Sequence, residues 1–171
     1  LPVPEIYSIN RAEGVYLLED FGETMLFDLV HEQPFDEKLK DFYKKSLVGL
    51  VALQLLGKDC IDYSKCYPRA AFDRDSMTWD LNYFKYYFLK LVRIPFDEQA
   101  LEDDFRCFTD YLLQERSDYF MFRDFQSANI MIRDEKPYFI DYQGGRRGAL
   151  QYDPASLLFD AKARLTKDVR K

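Results

Sequence analysis

The chain has 171 residues, 47% of them apolar and 32% charged, and its 24 basic and 30 acidic side chains give a net charge of −6. This is a globular composition, long enough to bury a sizeable core as one ordinary domain, or as one lobe and part of another. An acidic chain without a basic run argues against nucleic acid or an anionic membrane as the main partner, no apolar stretch is long enough to span a bilayer, and Leu1-Pro2-Val3-Pro4 lacks the basic n-region of a secretory signal.

Pro4–Ile9 and Val15–Glu19 read as short strands joined by a turn over Asn10–Gly14, a hairpin that Phe21-Gly22 ends. Met25–Val30 suits a short helix. Three long helices are expected next. In the first, Asp36 is the N-cap, Leu39, Phe42, Tyr43, Leu47, Leu50, Val51 and Leu55 share a face, and Gly57 is the terminating residue. In the second, Asp75 or Ser76 caps a stripe of Trp79, Tyr83, Tyr86, Tyr87 and Leu91, and Pro95 stops the helix. In the third, Asp97 caps a stripe of Leu101, Phe105, Phe108 and Leu112. All three stripes are expected to pack into the core.

After Ser117 the pattern becomes β-rich, with strands expected over Tyr119–Phe122, Ile130–Arg133 and Tyr138–Ile140 and a tight turn at Asp134–Pro137. Gly144-Gly145-Arg146-Arg147-Gly148 reads as a mobile loop. Asp153-Pro154 reads as an N-cap with Pro in the first helical position, opening a helix with Leu157, Leu158, Ala161 and Leu165 on one face; Lys167–Lys171 is expected to fray.

The chemistry concentrates in Tyr119–Asp153. A loop Asp after a strand (Asp124), an Asn five residues on (Asn129), and an Asp ending the following hairpin (Asp141) can converge on one point. Phosphoryl transfer needs such a set: one carboxylate to orient or deprotonate an acceptor hydroxyl, and an amide oxygen and second carboxylate to hold magnesium against nucleotide phosphates. Soft and imidazole chemistry is poorly supplied. Cys60, Cys66 and Cys107 have no zinc spacing and read as structural thiols of a reducing cytoplasm, and His31 is the only histidine.

Phe122-Arg123-Asp124-Phe125-Gln126-Ser127-Ala128-Asn129-Ile130-Met131 resembles the catalytic loop of the aminoglycoside phosphotransferase and choline kinase family, and Ile140-Asp141-Tyr142-Gln143 resembles its metal-binding segment. The wording is most like that of bacterial kinases acting on cell-wall amino sugars, N-acetylmuramate and N-acetylglucosamine, at the anomeric hydroxyl. Val3–Tyr7 and Tyr16–Gly22 resemble the last small-lobe strands and the hinge. The resemblance implies an α+β, protein-kinase-like fold, with residues 1–22 as the end of the small lobe and the hinge and 23–171 as the helical large lobe. It implies ATP and magnesium as cofactors and a small-molecule acceptor. It gives Asp124 the catalytic role, Asn129 and Asp141 the metal, and the backbone around Glu19 and Phe21 the adenine edge. Arg146 and Arg147 become candidate contacts to phosphate or an anionic sugar group.

The family's Gly-rich phosphate loop and strand lysine lie ahead of the hinge and are absent from this chain, so it reads as a kinase fragment, inactive alone. Bare apolar residues at Ile6, Tyr16 and Leu18 would then predict self-association through the hairpin edge. An aminoglycoside or choline-like acceptor is the runner-up. A non-catalytic kinase-like module that binds nucleotide or a partner, and a helical interaction domain of unrelated ancestry, are the other readings left open.

Overall fold

The computed structural model describes residues 1–170. Strands β1 (Ile6–Asn10) and β2 (Val15–Leu18) form the expected antiparallel hairpin, with Asn10 paired to Val15 and Ile6 to Leu18. Ile6 and Tyr16 are exposed and Leu18 is half-buried, so the hairpin carries an uncovered apolar surface. Helix α1 (Leu26–Glu32) follows, with His31 exposed at its end.

Helix α2 (Glu37–Cys60) is capped by Asp36, whose Oδ1 accepts from Leu39 N–H at 2.8 Å. Leu39, Phe42, Tyr43, Leu50 and Leu53 make its buried face, whereas Val51 and Leu55 of the expected stripe are exposed. The helix does not stop at Gly57 but runs on to Cys60. Gly57 is there for close approach: a Cβ on it would sit 2.7 Å from Phe120 Cβ, where α2 crosses the strand that leads into the site.

Helix α3 (Arg74–Phe84) is capped by Asp73, earlier than Asp75 or Ser76, and passes into a π-helical turn over Lys85–Leu89. Its aromatic stripe does not enter the core: Trp79, Tyr83, Tyr86, Tyr87 and Leu91 are all exposed. The residues it buries are Ser76, Met77 and Lys85. Lys85 is enclosed between Glu98 and Glu102 of helix α4 (Glu98–Leu112), so the α3–α4 pair is joined by charge as well as by apolar contact. Asp97 caps α4 as expected, Phe105 is buried, and Phe108 is exposed.

Strand β3 (Tyr119–Met121) pairs antiparallel with β6 (Arg146–Gly148), and β4 (Ile130–Arg133) pairs with β5 (Lys136–Phe139). The Gly144–Gly148 segment is therefore mostly strand, not a mobile loop. Its glycines are packing requirements, since a Cβ on Gly145 would meet the Phe120 ring at 2.5 Å and one on Gly148 would meet Met121 Sδ at 2.5 Å. Helix α5 (Tyr152–Leu158) opens one residue before Asp153, which lies inside its first turn and caps nothing. The helix ends at Leu158; Ala163 and Leu165 beyond it are buried, while Ala161 is exposed. Of the tail expected to fray, residues 167–170 form a turn with Val169 against the core, and Lys171 lies outside the described residues.

The main core gathers Leu26, Leu39, Phe42, Leu50, Phe122, Phe125, Ile130, Phe139 and Leu157. Phe122, Phe125 and Phe139 meet edge to face, the preferred aromatic geometry. Phe122 and Phe125, on either side of Asp124, are thus both fixed in the main core. Among the described residues no helix is long and apolar enough to cross a membrane.

Candidate active site

Strand β3 delivers the chain to the site, and Phe122 is fully buried at its end. The next residue, Arg123, has φ of 85°, a left-handed conformation that costs a non-glycine residue energy and needs outside support. Asp153 supplies it: Oδ2 accepts from Phe122 N–H at 2.8 Å and Oδ1 from Arg123 N–H at 2.9 Å. Gln54 of α2 donates from Nε2 to Asp153 Oδ2 at 2.9 Å and also to the Leu150 carbonyl at 3.2 Å. One buried carboxylate thereby ties α2, the end of β3 and α5 into a single turn. Burial pushes its pKa up to about 6, outweighing the three N–H donors that lower it.

The Arg123 side chain adds a second tie. Its guanidinium forks onto Asp80 of α3, Nη1 to Oδ2 and Nη2 to Oδ1, each at 2.7 Å, and Nη1 also donates to Tyr152 Oη at 2.6 Å. It lies over the rings of Phe72 and Tyr152. Burial raises the Tyr152 phenol to about 12, which keeps it neutral. Asp80→Ala is expected to cost about 1–2 kcal/mol in urea unfolding, because the pair is only partly shielded from water. A change below about 0.3 kcal/mol would show the fork contributes nothing.

Beyond that support Asp124 is exposed, while Phe125 is fully buried. Asn129 folds back so that Nδ2 donates to the Asp124 carbonyl at 2.8 Å, which orients the amide and leaves Oδ1 as its acceptor face. The β4–β5 register then sets the third member. Ile130 faces Phe139, and Ile140 N–H donates to the Asn129 carbonyl at 3.1 Å, so Asp141 follows beside Asn129. Asp141 is itself left-handed at φ 68°, a conformation Asp tolerates better than most residues, and Oδ1 accepts from Gln143 Nε2 at 2.5 Å. A 3₁₀ turn over Tyr142–Gly144 carries the chain back past Asp124, whose Oδ2 lies 3.4 Å from where a Gly144 Cβ would be. Asp124, Asn129 and Asp141 are thereby gathered on one rim.

At Asp141 that rim meets a cleft of about 540 Å³ between the β1–β2 hairpin and the β4–β5 hairpin, whose lining does not include Asp124 or Asn129. Ile6, Leu18, Met131 and Ile140 supply apolar wall, Glu19 and Phe21 line it, and Asp141 and Gln143 complete it. The corner is braced by Arg133, which donates to Glu19 Oε1 at 2.9 Å and to the Asp20 carbonyl at 3.0 Å while covering Phe21 and Tyr138. The Glu19 side chain is therefore committed to structure, and its backbone N–H donates to the Glu5 carbonyl at 2.8 Å, which leaves the Glu19 carbonyl as the group that can serve a ligand.

The two candidate arginines separate, as strand alternation requires. Arg146 is buried, with Nε donating to the Gly144 carbonyl at 2.9 Å, and burial and neighbouring Arg123 pull its pKa below the ordinary value. Arg147 lies over Tyr63.

Among the described residues no group of three or more His, Cys, Asp or Glu is gathered for a metal. One amide oxygen and one carboxylate make a partial set of hard donors. That fits magnesium, which keeps several waters and shares nucleotide phosphates, better than a cation needing a full protein cage.

Asp153-Pro154 has the sequence pattern of a cap, yet Asp153 supports the Arg123 turn together with Gln54 and Asp80, whose roles depend on contacts far apart in the chain. Gln54 did carry a signal, since it interrupts the apolar stretch Leu50–Leu56 on the buried side of a helix.

The fold is of protein-kinase-like architecture. The chain belongs to the phosphotransferase enzyme family, whose model matches residues 1–170. Curated relatives include the N-acetylmuramate/N-acetylglucosamine kinases of Pseudomonas aeruginosa and Neisseria meningitidis serogroup B. Each is 25% identical over 163 residues, 93% of this chain and 45% and 46% of the respective relative. The chain thus spans about half the length of these relatives. Similar solved structures include aminoglycoside phosphotransferase APH(2'')-Ib bound to ADP, with a TM-score of 0.66 at 15% identity over 98% of this chain and 57% of that one. The gentamicin complex of APH(2'')-IIa gives 0.67 at 15% identity over 98% and 56%.

Proposed function

We propose that this chain carries the hinge and catalytic lobe of an ATP-dependent kinase that phosphorylates a hydroxyl of a small polar metabolite, an amino sugar by preference. The observation that supports it most is the approach of Asp124, Asn129 and Asp141 to one another, with Asp141 lining a largely apolar cleft. Residues 1–22 act as the last part of the small lobe and the hinge, and 23–171 as the large lobe.

In this reading the adenine lies between the apolar residues of the two hairpins, its edge on the Glu19 carbonyl and the Phe21 N–H. Asn129 Oδ1 and Asp141 would hold magnesium, which when bound would neutralise charge on the phosphates. The acceptor hydroxyl donates to the Asp124 carboxylate. As the acceptor oxygen bonds to the terminal phosphorus, the bond from that phosphorus to the oxygen of the departing ADP breaks and the hydroxyl proton passes to Asp124. Little covalent chemistry falls to the protein, so placement of Asp124 matters most, and Asp153 and the Arg123–Asp80 fork provide that placement.

The likeness to N-acetylmuramate/N-acetylglucosamine kinases supports an amino-sugar acceptor. So does local charge: Arg123 and Arg146 beside Asp124 suit a neutral or anionic acceptor better than a polycation.

The test is nucleotide titration of the full-length protein with and without magnesium. Asp141→Asn is expected to weaken magnesium-dependent ATP binding about tenfold or more while leaving metal-free binding within about twofold. Equal affinity in the variant with magnesium present would remove Asp141 from the metal site.

A further inference from the structure

Arg146 presents an unbalanced account of donors. The residue is 7% exposed, yet only Nε has a protein partner, the Gly144 carbonyl. A guanidinium carries five N–H donors, and enclosing it without an acceptor is costly. The comparable arginines here are answered: Arg123 by Asp80 and Tyr152, Arg133 by Glu19 and the Asp20 carbonyl. No carboxylate lies in ion-pair reach of Arg146 among the described residues, and neither terminal nitrogen is sealed off from the surface.

Its position is also held firmly. Strand β6 is clamped by Gly145 against Phe120 and by Gly148 against Met121, with no room for a Cβ at either place. Nε is anchored to Gly144, the residue that passes Asp124. The charges that bear most on Arg146 are Arg123, Asp124 and Asp80, on the β3–α3 side of the rim, with Cys66 after them. The residue takes no part in lining the hairpin cleft that suits the nucleotide. A fixed, mostly buried guanidinium with both terminal nitrogens unused has the fork that a carboxylate fills.

We propose that Arg146 is the specificity residue for a carboxylate on the acceptor, so that the site prefers an acidic amino sugar to its neutral counterpart. This rests on the kinase reading above and adds the substrate's charge to it. Arg147, over Tyr63, has no share in this contact.

The test uses the full-length protein and two acceptors: N-acetylmuramate, which carries a lactyl carboxylate, and N-acetylglucosamine, which lacks it. Arg146→Gln is expected to raise KM for the acidic sugar about ten- to hundredfold, the worth of a charge-assisted bond, and to move KM for the neutral sugar less than about threefold. KM for ATP stays unchanged, and Arg146→Lys recovers part of the acidic-sugar affinity. An equal loss on both sugars would overturn the proposal and make Arg146 a support of the loop. A rise confined to KM for ATP would overturn it in favour of a nucleotide phosphate contact. If the wild type phosphorylates neither sugar, the amino-sugar reading fails by itself, and equilibrium binding in the presence of ADP decides the role of Arg146. Binding of N-acetylmuramate that is lost in Arg146→Gln supports the proposal, and no binding of either sugar overturns it.

Discussion

Asp124→Asn in the full-length protein lowers kcat by about 10³-fold, within the range that a positioned general base contributes. The substitution keeps the shape of the side chain and removes its capacity to take a proton. The backbone that carries it is held elsewhere: Phe125 is buried, and Asn129 Nδ2 bonds the Asp124 carbonyl rather than its carboxylate. Thermal stability and KM for ATP therefore stay close to wild type, and the loss falls on kcat. Steady-state rates beside a melting curve check both parts. A variant that keeps a tenth or more of the wild-type kcat would mean that Asp124 neither orients nor deprotonates the acceptor.

Asp153→Ala has the largest expected effect on stability. It strands three donors in a closed region, the N–H groups of Phe122 and Arg123 and Nε2 of Gln54, and it releases a left-handed turn at Arg123 that has no glycine to relax it. Breaking a buried charged network of this kind costs about 3–5 kcal/mol. Urea unfolding measures it, and a loss under about 1 kcal/mol would show the network to be dispensable. The same carboxyl gives a pH signature. Its folded pKa of about 6 lies above the ordinary carboxylate value of 3.8, so the folded state holds the proton more tightly than the unfolded chain. The Asp153 contribution to stability is therefore greatest below about pH 4, declines as the pH rises to about 6, and is level above that. Asp153→Asn removes this decline from the stability profile; an unchanged slope between pH 4 and 6 would assign it to other groups.

Much of the site is legible from residue order alone. Asp124, Asn129 and Asp141 stand out because a short loop and a four-residue hairpin leave few ways to arrange them, and both caps that precede long helices, Asp36 and Asp97, act as their side chains suggest. What the order conceals are contacts made across long separations. Asp153 followed by Pro154 has the pattern of a cap, yet its carboxylate turns inward to a loop about thirty residues earlier. Gly145 and Gly148 have the composition of a flexible loop, but they are small because Phe120 and Met121 occupy the adjoining space. The aromatic stripe of α3 has perfect helical spacing and still faces outward, because Lys85 is buried between Glu98 and Glu102 and α4 meets α3 along that side. Periodicity identifies a face; which neighbour covers it is a tertiary fact.

The central claim is that the rim of Asp124, Asn129 and Asp141 transfers a phosphoryl group from ATP to a small acceptor. It is tested most directly by incubating the full-length protein with magnesium–ATP and amino sugars, aminoglycosides or choline in turn, following both ADP release and the phosphorylated product by ³¹P NMR. Amino-sugar phosphate formed one-for-one with ADP, and abolished in Asp124→Asn, is the predicted result. Binding of magnesium–ATP with no acceptor phosphorylated would contradict the account and leave a nucleotide-binding module in its place.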